Sequence, residues 1–534
     1  MVEKLETLLL LLGAIGILAV IAERFRFPFP ILLVLAGLGI AFFPGLPDVH
    51  LNPDLVLMIF LPPLLHAAAW NFPWQEFRAN FIPIFALAVG LVFITIVCVA
   101  YTAYWFIPGM TLAAAYVLGA VVSPPDAVAA TAVLKNLRMP RRLTSVLEGE
   151  SLVNDSSGLV AYQFAIAAVM TGTFSMARAG TQFVYMSIGG IALGLAVGFG
   201  VAHLHRHLRD PAVEITLSIL TPYMSYLPAE KLGFSGVLAV VASGLYIGHR
   251  SWEVFSPESR LQGASIWRFL EYLLNGTVFI LIGLQFPSIM EGLNHIPMWR
   301  LLTAGALVSF VVIAVRFLWI LPLAPLEQWL AGLTGNSRKP LSKGALVVAS
   351  WAGMRGVVSL AAALAIPLTT MDGAEFPDRH LILWMTFAVI FVTLILQGLS
   401  LPWLARKLKV EEPGEEFQAE AQARIMLFAE LVEEISRLER HAATPEERES
   451  LGFWRSHYTH QLEQMRERVS AGHERIAKAA LHERKIFPHL MNHARRHLAR
   501  MRDRGEISEE MRRHIEYDFD LDERRVERIL ARYS

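Results

Sequence analysis

The 534-residue chain is 54% hydrophobic and 18% charged, with mean hydropathy +0.45 and zero formal net charge, so no bulk field recommends nucleic acid as a partner. Its single cysteine, Cys98, excludes a disulfide framework and a multi-cysteine metal site. About half of the Asp, Glu, Lys and Arg residues lie beyond Lys409, in under a quarter of the length, which divides the chain into a membrane part, residues 1–410, and a water-soluble tail, residues 411–534.

Met1 to Lys4 and the Leu-rich run behind them lack the basic start and small-residue cleavage site of a signal peptide, and read as the first span. Runs near 20 apolar residues then give thirteen candidate helices: 5–22, 29–44, 52–71, 81–106, 110–134, 145–172, 181–204, 212–227, 232–249, 265–288, 298–325, 344–370 and 380–405. Loop charge tests the count. Roughly fifteen Lys and Arg follow odd-numbered spans, among them Arg24, Arg78, Arg141, Arg142, Arg206, Arg250, Arg260 and Lys343, against about five on the other side. That asymmetry puts the amino terminus outside and the tail in the cytoplasm.

Two spans depart from plain apolar helix. In the fifth, Pro124 and Pro125 remove backbone donors and should break the helix just before Asp126. In the twelfth, Gly353 and Gly356 bracket Arg355 and weaken the helix around a buried cation. Interrupted helices at corresponding places in two halves point to a midplane transport site, and a separation of seven spans is compatible with an inverted repeat.

The chemistry gathers in the string Glu148-Gly149-Glu150-Ser151-Leu152-Val153-Asn154-Asp155 of the sixth span. Ionisable residues at bilayer depth are costly, so such a cluster is a site hypothesis by default. Ser151 and Asp155, four residues apart, stack on one helix face, with Glu150 and Asn154 on the neighbouring stripe. Asp155, the Ser151 hydroxyl and carbonyls freed at the break offer a hard monovalent cation its oxygen ligands, and the same carboxylate can hold a proton instead. Arg355 is expected to pair with Glu150, leaving Asp155 free to titrate, and Asn154 to bond either the Asp126 carboxylate or the open helix ends. Glu148 reads as a helix-start carboxylate, His66 as a packed histidine at a kink, and Arg316 as a structural cation in need of a partner. Glu214, Glu230 and Glu271 read as interfacial.

In the tail, Phe417, Ala421, Ile425, Phe428, Leu431, Ile435 and Leu438 make one amphipathic face, and Thr444-Pro445-Glu446-Glu447 reads as a capped helix start. No P-loop or dinucleotide fingerprint precedes a helix there, so no nucleotide cofactor is expected and the chain reads as a transporter rather than an enzyme.

Phe60-Leu61-Pro62-Pro63-Leu64-Leu65, the Asp126 break, Gly149 to Asp155, the run from Gly233 to His249, and Met354-Arg355-Gly356 together resemble the Na+/H+ exchangers of the monovalent cation:proton antiporter-1 family, the NhaP-type proteins. The resemblance implies an all-α polytopic fold of about 13 transmembrane helices with inverted repeats and two crossing broken helices, to which this chain adds a helical cytosolic tail. It also implies a homodimer in the cell membrane that works by alternating access. Asp155 maps to the ion- and proton-binding residue, with Ser151 as ligand. Asp126 and Asn154 map to the scaffold of the break, and Glu150 with Arg355 to the buried ion pair. A single titrating Asp after Asn implies electroneutral one-for-one exchange of Na+, with K+/H+ exchange regulated by the tail as the alternative. Two departures bear on ion choice. Pro125 stands where relatives place Thr or Val, leaving its carbonyl as the available ligand, and His66-Ala67-Ala68 stands where some relatives carry an acid.

Overall fold

The computed structural model describes all residues except 1, 26, 43–55, 135–138, 173–175, 294–295, 335–340, 411–414, 471–472 and, beyond 504, residues 505, 507, 509–510, 513–514, 517, 522, 525 and 527–534. The loop charges at Arg26, Lys135, Arg138, Arg338 and Lys339 lie outside the described residues. The chain divides into two units, Met1–Glu411 and Glu412–Ser534.

Among its described residues the first unit is helical apart from its connections, and extended pairing is limited to a single bridge between Thr369 and Glu375. Its principal helices are α1 (Val2–Phe25), α2 (Phe29–Ala41), α3 (Leu61–Asn71), α4 (Phe81–Phe106), α5 (Leu112–Val122), α6 (Ala127–Leu134), α7 (Arg141–Thr171), α8 (Met176–His205) and α9 (Pro211–Lys231). There follow α10 (Gly236–His249), α11 (Pro257–Leu284), α12 (Met298–Thr334), α13 (Lys343–Trp351), α14 (Val357–Leu364) and α15 (Arg379–Lys407). Every predicted span overlaps one of these helices or a pair of them. The third shares residues 61–71 with α3, behind a π-helical turn at Val56–Phe60, while its residues 52–55 and residues 43–44 of the second lie outside the described residues. The fifth divides into α5 and α6 and the twelfth into α13 and α14, at the prolines and the glycine-flanked arginine. The twelfth ends at Leu364, earlier than expected.

Side chains cap the helix starts where the sequence supplies an oxygen. Thr111 accepts the Ala114 N–H at 3.2 Å, Asp210 the Ala212 N–H at 2.8 Å, and Ser342 the Ala345 N–H at 3.1 Å. Among the described residues, five helices are long and apolar enough to cross a membrane by length and composition alone. Large apolar side chains such as Leu10, Trp105, Phe310 and Leu318 are exposed on the outer faces, as in a protein whose solvent is hydrocarbon.

The second unit consists of α16 (Glu415–Arg440), α17 (Pro445–Ser470) and α18 (His473–Asp503). Ala421 and Ile435 of the predicted amphipathic face are buried, and the Phe428 ring meets Tyr458 of α17. The start of α17 is a reciprocal cap: Glu447 N–H donates to the Thr444 hydroxyl at 3.2 Å, and the Glu447 carboxylate accepts the Ala443 N–H at 2.9 Å.

Candidate functional site

Both helix breaks leave backbone groups that a continuous helix would have paired, and the two breaks satisfy each other. The Asp126 N–H donates to the Met354 carbonyl at 2.7 Å. In return, the Arg355 guanidinium donates to the carbonyls of Val122 at 3.0 Å and Ser123 at 3.2 Å, and to its own neighbour Gly353. A cation thus covers the carbonyl end of α5, where the helix dipole favours positive charge. The Asp126 carboxylate lies against Gly356 at the start of α14, so close that a Cβ at residue 356 would overlap it. At that end of a helix a negative group is favoured.

α7 crosses beside this junction and presents the motif residues. Asn154, fully buried, donates from Nδ2 to the Pro125 carbonyl at 2.7 Å. Of the two partners expected for Asn154, the structure selects the open helix end. The Pro125 carbonyl, expected to face an ion, is therefore engaged by Asn154 and has only its second lone pair to offer.

The expected Glu150 to Arg355 pair is corrected. Glu150 accepts both arms of Arg316, from Nη1 at 2.5 Å and Nη2 at 2.7 Å, with all partners buried. Arg316 also donates through Nε to the Ala349 carbonyl at 3.1 Å. Arg355 lies across Gly353 from Arg316, but its fork is spent on the carbonyls of the break. The physical reason is that Arg355 stands at the break itself, with those carbonyls in reach, whereas Arg316 rises from the middle of α12, in an apolar run with no acidic residue to neutralise it.

Asp155 is 8% exposed and lines a cavity of ≈ 410 Å³ with Ser151, Asp126 and Glu148. The remaining walls come from one face of α3 through Leu61, Leu64, Leu65 and Ala68, from α11 through Glu271 and Asn275, and from α14 through Val357 to Ser359. Glu148 therefore opens onto the same cavity rather than serving only its helix start. Glu271, expected to be interfacial, is half-buried and lines the cavity. Glu214, also expected to be interfacial, is buried, its carboxylate accepting the Ser256 N–H at 3.4 Å. His66 is fully buried, its ring set against Trp70 and Trp267. Among the described residues no group of three or more His, Cys, Asp and Glu side chains is arranged to hold a metal ion.

A family model described as sodium/hydrogen exchanger, transmembrane, matches residues 8–407, which takes in both breaks and every wall of the cavity. The chain belongs to the sodium/hydrogen exchanger family. A protein of Bacillus pumilus (strain SAFR-032), named sodium, potassium, lithium and rubidium/H(+) antiporter, is 38% identical over 416 residues, 74% of this chain and 61% of that relative. The namesake from Bacillus subtilis (strain 168) is 33% identical over 515 residues, covering 94% of this chain and 75% of the relative. The Na(+)/H(+) antiporter ApNhaP of Aphanothece halophytica is 34% identical over 414 residues, covering 76% and 75%. Among solved structures, the sodium proton antiporter MjNhaP1 from Methanocaldococcus jannaschii superposes with a TM-score of 0.60 over 76% of this chain and 99% of that one, at 20% identity. It shares the fold, a polytopic antiporter architecture.

Proposed function

We propose that the chain is a secondary active antiporter that exchanges a monovalent cation for H+ by alternating access, with Asp155 as the carboxylate that both ions share. The observation that carries this reading is a buried carboxylate, Asp155, on the wall of a cavity beside two helix breaks that are joined by a hydrogen bond, in a chain of the sodium/hydrogen exchanger family. A bound cation requires the ionised carboxylate, and a bound proton displaces it, so one group loads either ion and never both. Ser151 and the free lone pair of the Pro125 carbonyl supply neutral oxygens beside it. Asp126 and Asn154 hold the break, and Glu150 and Arg316 pin α7 to α12. Arg355 covers the carbonyl end of α5.

Each half-cycle then carries one positive charge, so exchange is one for one and electroneutral. The chain works as a homodimer in the cell membrane, with its amino terminus outside and residues 411–534 in the cytoplasm, where they modulate activity. Na+ is the first substrate. A second reading, K+ as a principal substrate, is favoured by the names of the two Bacillus relatives, which include potassium and rubidium.

Purified protein in proteoliposomes loaded with a pH-sensitive dye tests both readings. Addition of Na+, K+ or Li+ outside should move protons outward, and competition among the three ranks them. An imposed membrane potential should leave the rate unchanged. Absence of cation-dependent proton movement refutes antiport, and a clear voltage response refutes one-for-one exchange.

A further inference from the structure

The cavity has a wall that the family motif does not describe. Asp126, Glu148, Ser151 and Asp155 all come from the α5–α6 break and α7, whereas Glu271 and Asn275 come from α11. Four residues apart, Glu271 and Asn275 stack on one helical face, a carboxylate with an amide one turn on. Glu271 lies fourteen residues from the start of α11, and Asp155 fourteen from the start of α7. At about 1.5 Å per residue, each acid stands about 21 Å along its helix. In the proposed orientation both helices leave the cytoplasmic side, so the two acids reach a similar depth.

A second observation lies on α14. Ser359 lines the same cavity, is 1% exposed, and its hydroxyl has no hydrogen-bond partner. A buried hydroxyl without a partner is destabilising, and such groups in native proteins call for an explanation. A hard cation satisfies it, because it takes oxygen ligands of any class, carboxylate, amide or hydroxyl.

We propose that Glu271, with Asn275 and Ser359, forms a second cation-binding wall of the cavity, facing the Asp155 wall and completing the oxygen shell of a bound alkali cation. This rests on the exchange reading above and deepens it by assigning ligands outside the motif. A desolvated cation loses its hydration shell on entering the cavity, and oxygens supplied only from the α5–α6 break and α7 leave its far side bare. The second wall supplies that side. Glu271 adds attraction for the ion, and Ser359 and Asn275 add ligands whose size discriminates among Li+, Na+ and K+. Protonation chemistry stays with Asp155, so the second wall sets affinity and selectivity rather than turnover.

The test uses the full chain in proteoliposomes, with Glu271→Gln, Glu271→Asp and Ser359→Ala beside the wild type. Glu271→Gln is expected to raise the Na+ KM about tenfold, equivalent to about 1.4 kcal/mol, with the maximal rate within about twofold of wild type. Glu271→Asp should recover part of the loss. Ser359→Ala should alter the ranking of Na+, K+ and Li+ while leaving the unfolding temperature without cations equal or higher, since it removes an unsatisfied polar group. Stabilisation of the detergent-solubilised protein against heat by added NaCl gives a binding readout independent of flux, and should weaken in both Glu271→Gln and Ser359→Ala. An unchanged KM and unchanged Na+ stabilisation in Glu271→Gln overturns the proposal. So does a fall in maximal rate at constant KM with Glu271→Asp no better than Glu271→Gln, the pattern of a structural role. If the wild type moves no protons and is not stabilised by any alkali cation, it is the exchange reading that has failed, and the second wall falls with it.

Discussion

Glu150 and Arg316, 166 residues apart in sequence, form a two-armed ion pair at 2.5 and 2.7 Å, with both side chains almost wholly buried. Arg355 stands on the other side of Gly353, where a Cβ would lie 2.5 Å from Arg316 Cδ and 3.0 Å from Arg355 Nη1. The three charges therefore form one buried unit of two cations and one anion.

Breaking that unit is expected to be asymmetric. Removing one partner of a buried pair costs about 3–5 kcal/mol. Arg316→Met leaves Glu150 with Arg355 nearby, whereas Glu150→Gln leaves two arginines facing each other without a counter-charge. Glu150→Gln should therefore lower the unfolding midpoint in detergent more than Arg316→Met. The double variant Glu150→Leu/Arg316→Met should lose less than the sum of the single changes. Equal losses that simply add would contradict the coupling.

Arg355→Lys keeps the charge and loses the fork. A lysine ammonium cannot reach the Val122, Ser123 and Gly353 carbonyls together, and each one uncovered costs about 1.5–3 kcal/mol. The expected result is a lower unfolding midpoint and a fall in exchange of about tenfold or more. Retention of wild-type stability and rate would show that the carbonyl end of α5 needs no such cover.

Gly356→Ala places a methyl group where the Asp126 carboxylate lies. Either the carboxylate or the α14 start must shift, and the Asp126 N–H to Met354 carbonyl bond at 2.7 Å is the contact that joins the two breaks. Exchange should be lost or reduced by at least about a hundredfold, as misplacement of a reacting centre by about 1 Å does in enzymes. Normal flux in Gly356→Ala would mean that the crossing adapts freely.

Thr444→Ala removes the cap of α17. The expected cost is about 1 kcal/mol, confined to the second unit. Hydrogen exchange should accelerate at Ala443 and Glu447, with the protection of α7 unchanged.

The helices, their breaks and the α17 cap were legible in the sequence because each is written locally. Hydropathy marks the spans, a double proline removes the donors at 124 and 125, and Thr444 and Glu447 carry the capping pattern at its own spacing. What escaped was pairing across the fold. Nothing in the apolar run around Arg316 indicates that its partner is Glu150. The double proline marks open carbonyls at the break, but which distant cation covers them is not written in the sequence, so the glycine-flanked Arg355 reads as the partner of Glu150. Glu271 reads as interfacial because it lies near the start of the predicted span 265–288. That it lines the cavity depends on how α11, which begins at Pro257, packs beside elements distant in sequence.

The most direct test of the central claim is Asp155→Asn in proteoliposomes beside the wild type. The variant removes the shared carboxylate while conserving shape, so the protein should assemble normally and show no cation-dependent proton movement with Na+, K+ or Li+. Exchange persisting in a correctly folded Asp155→Asn protein would contradict the assignment of Asp155 as the group that holds either ion.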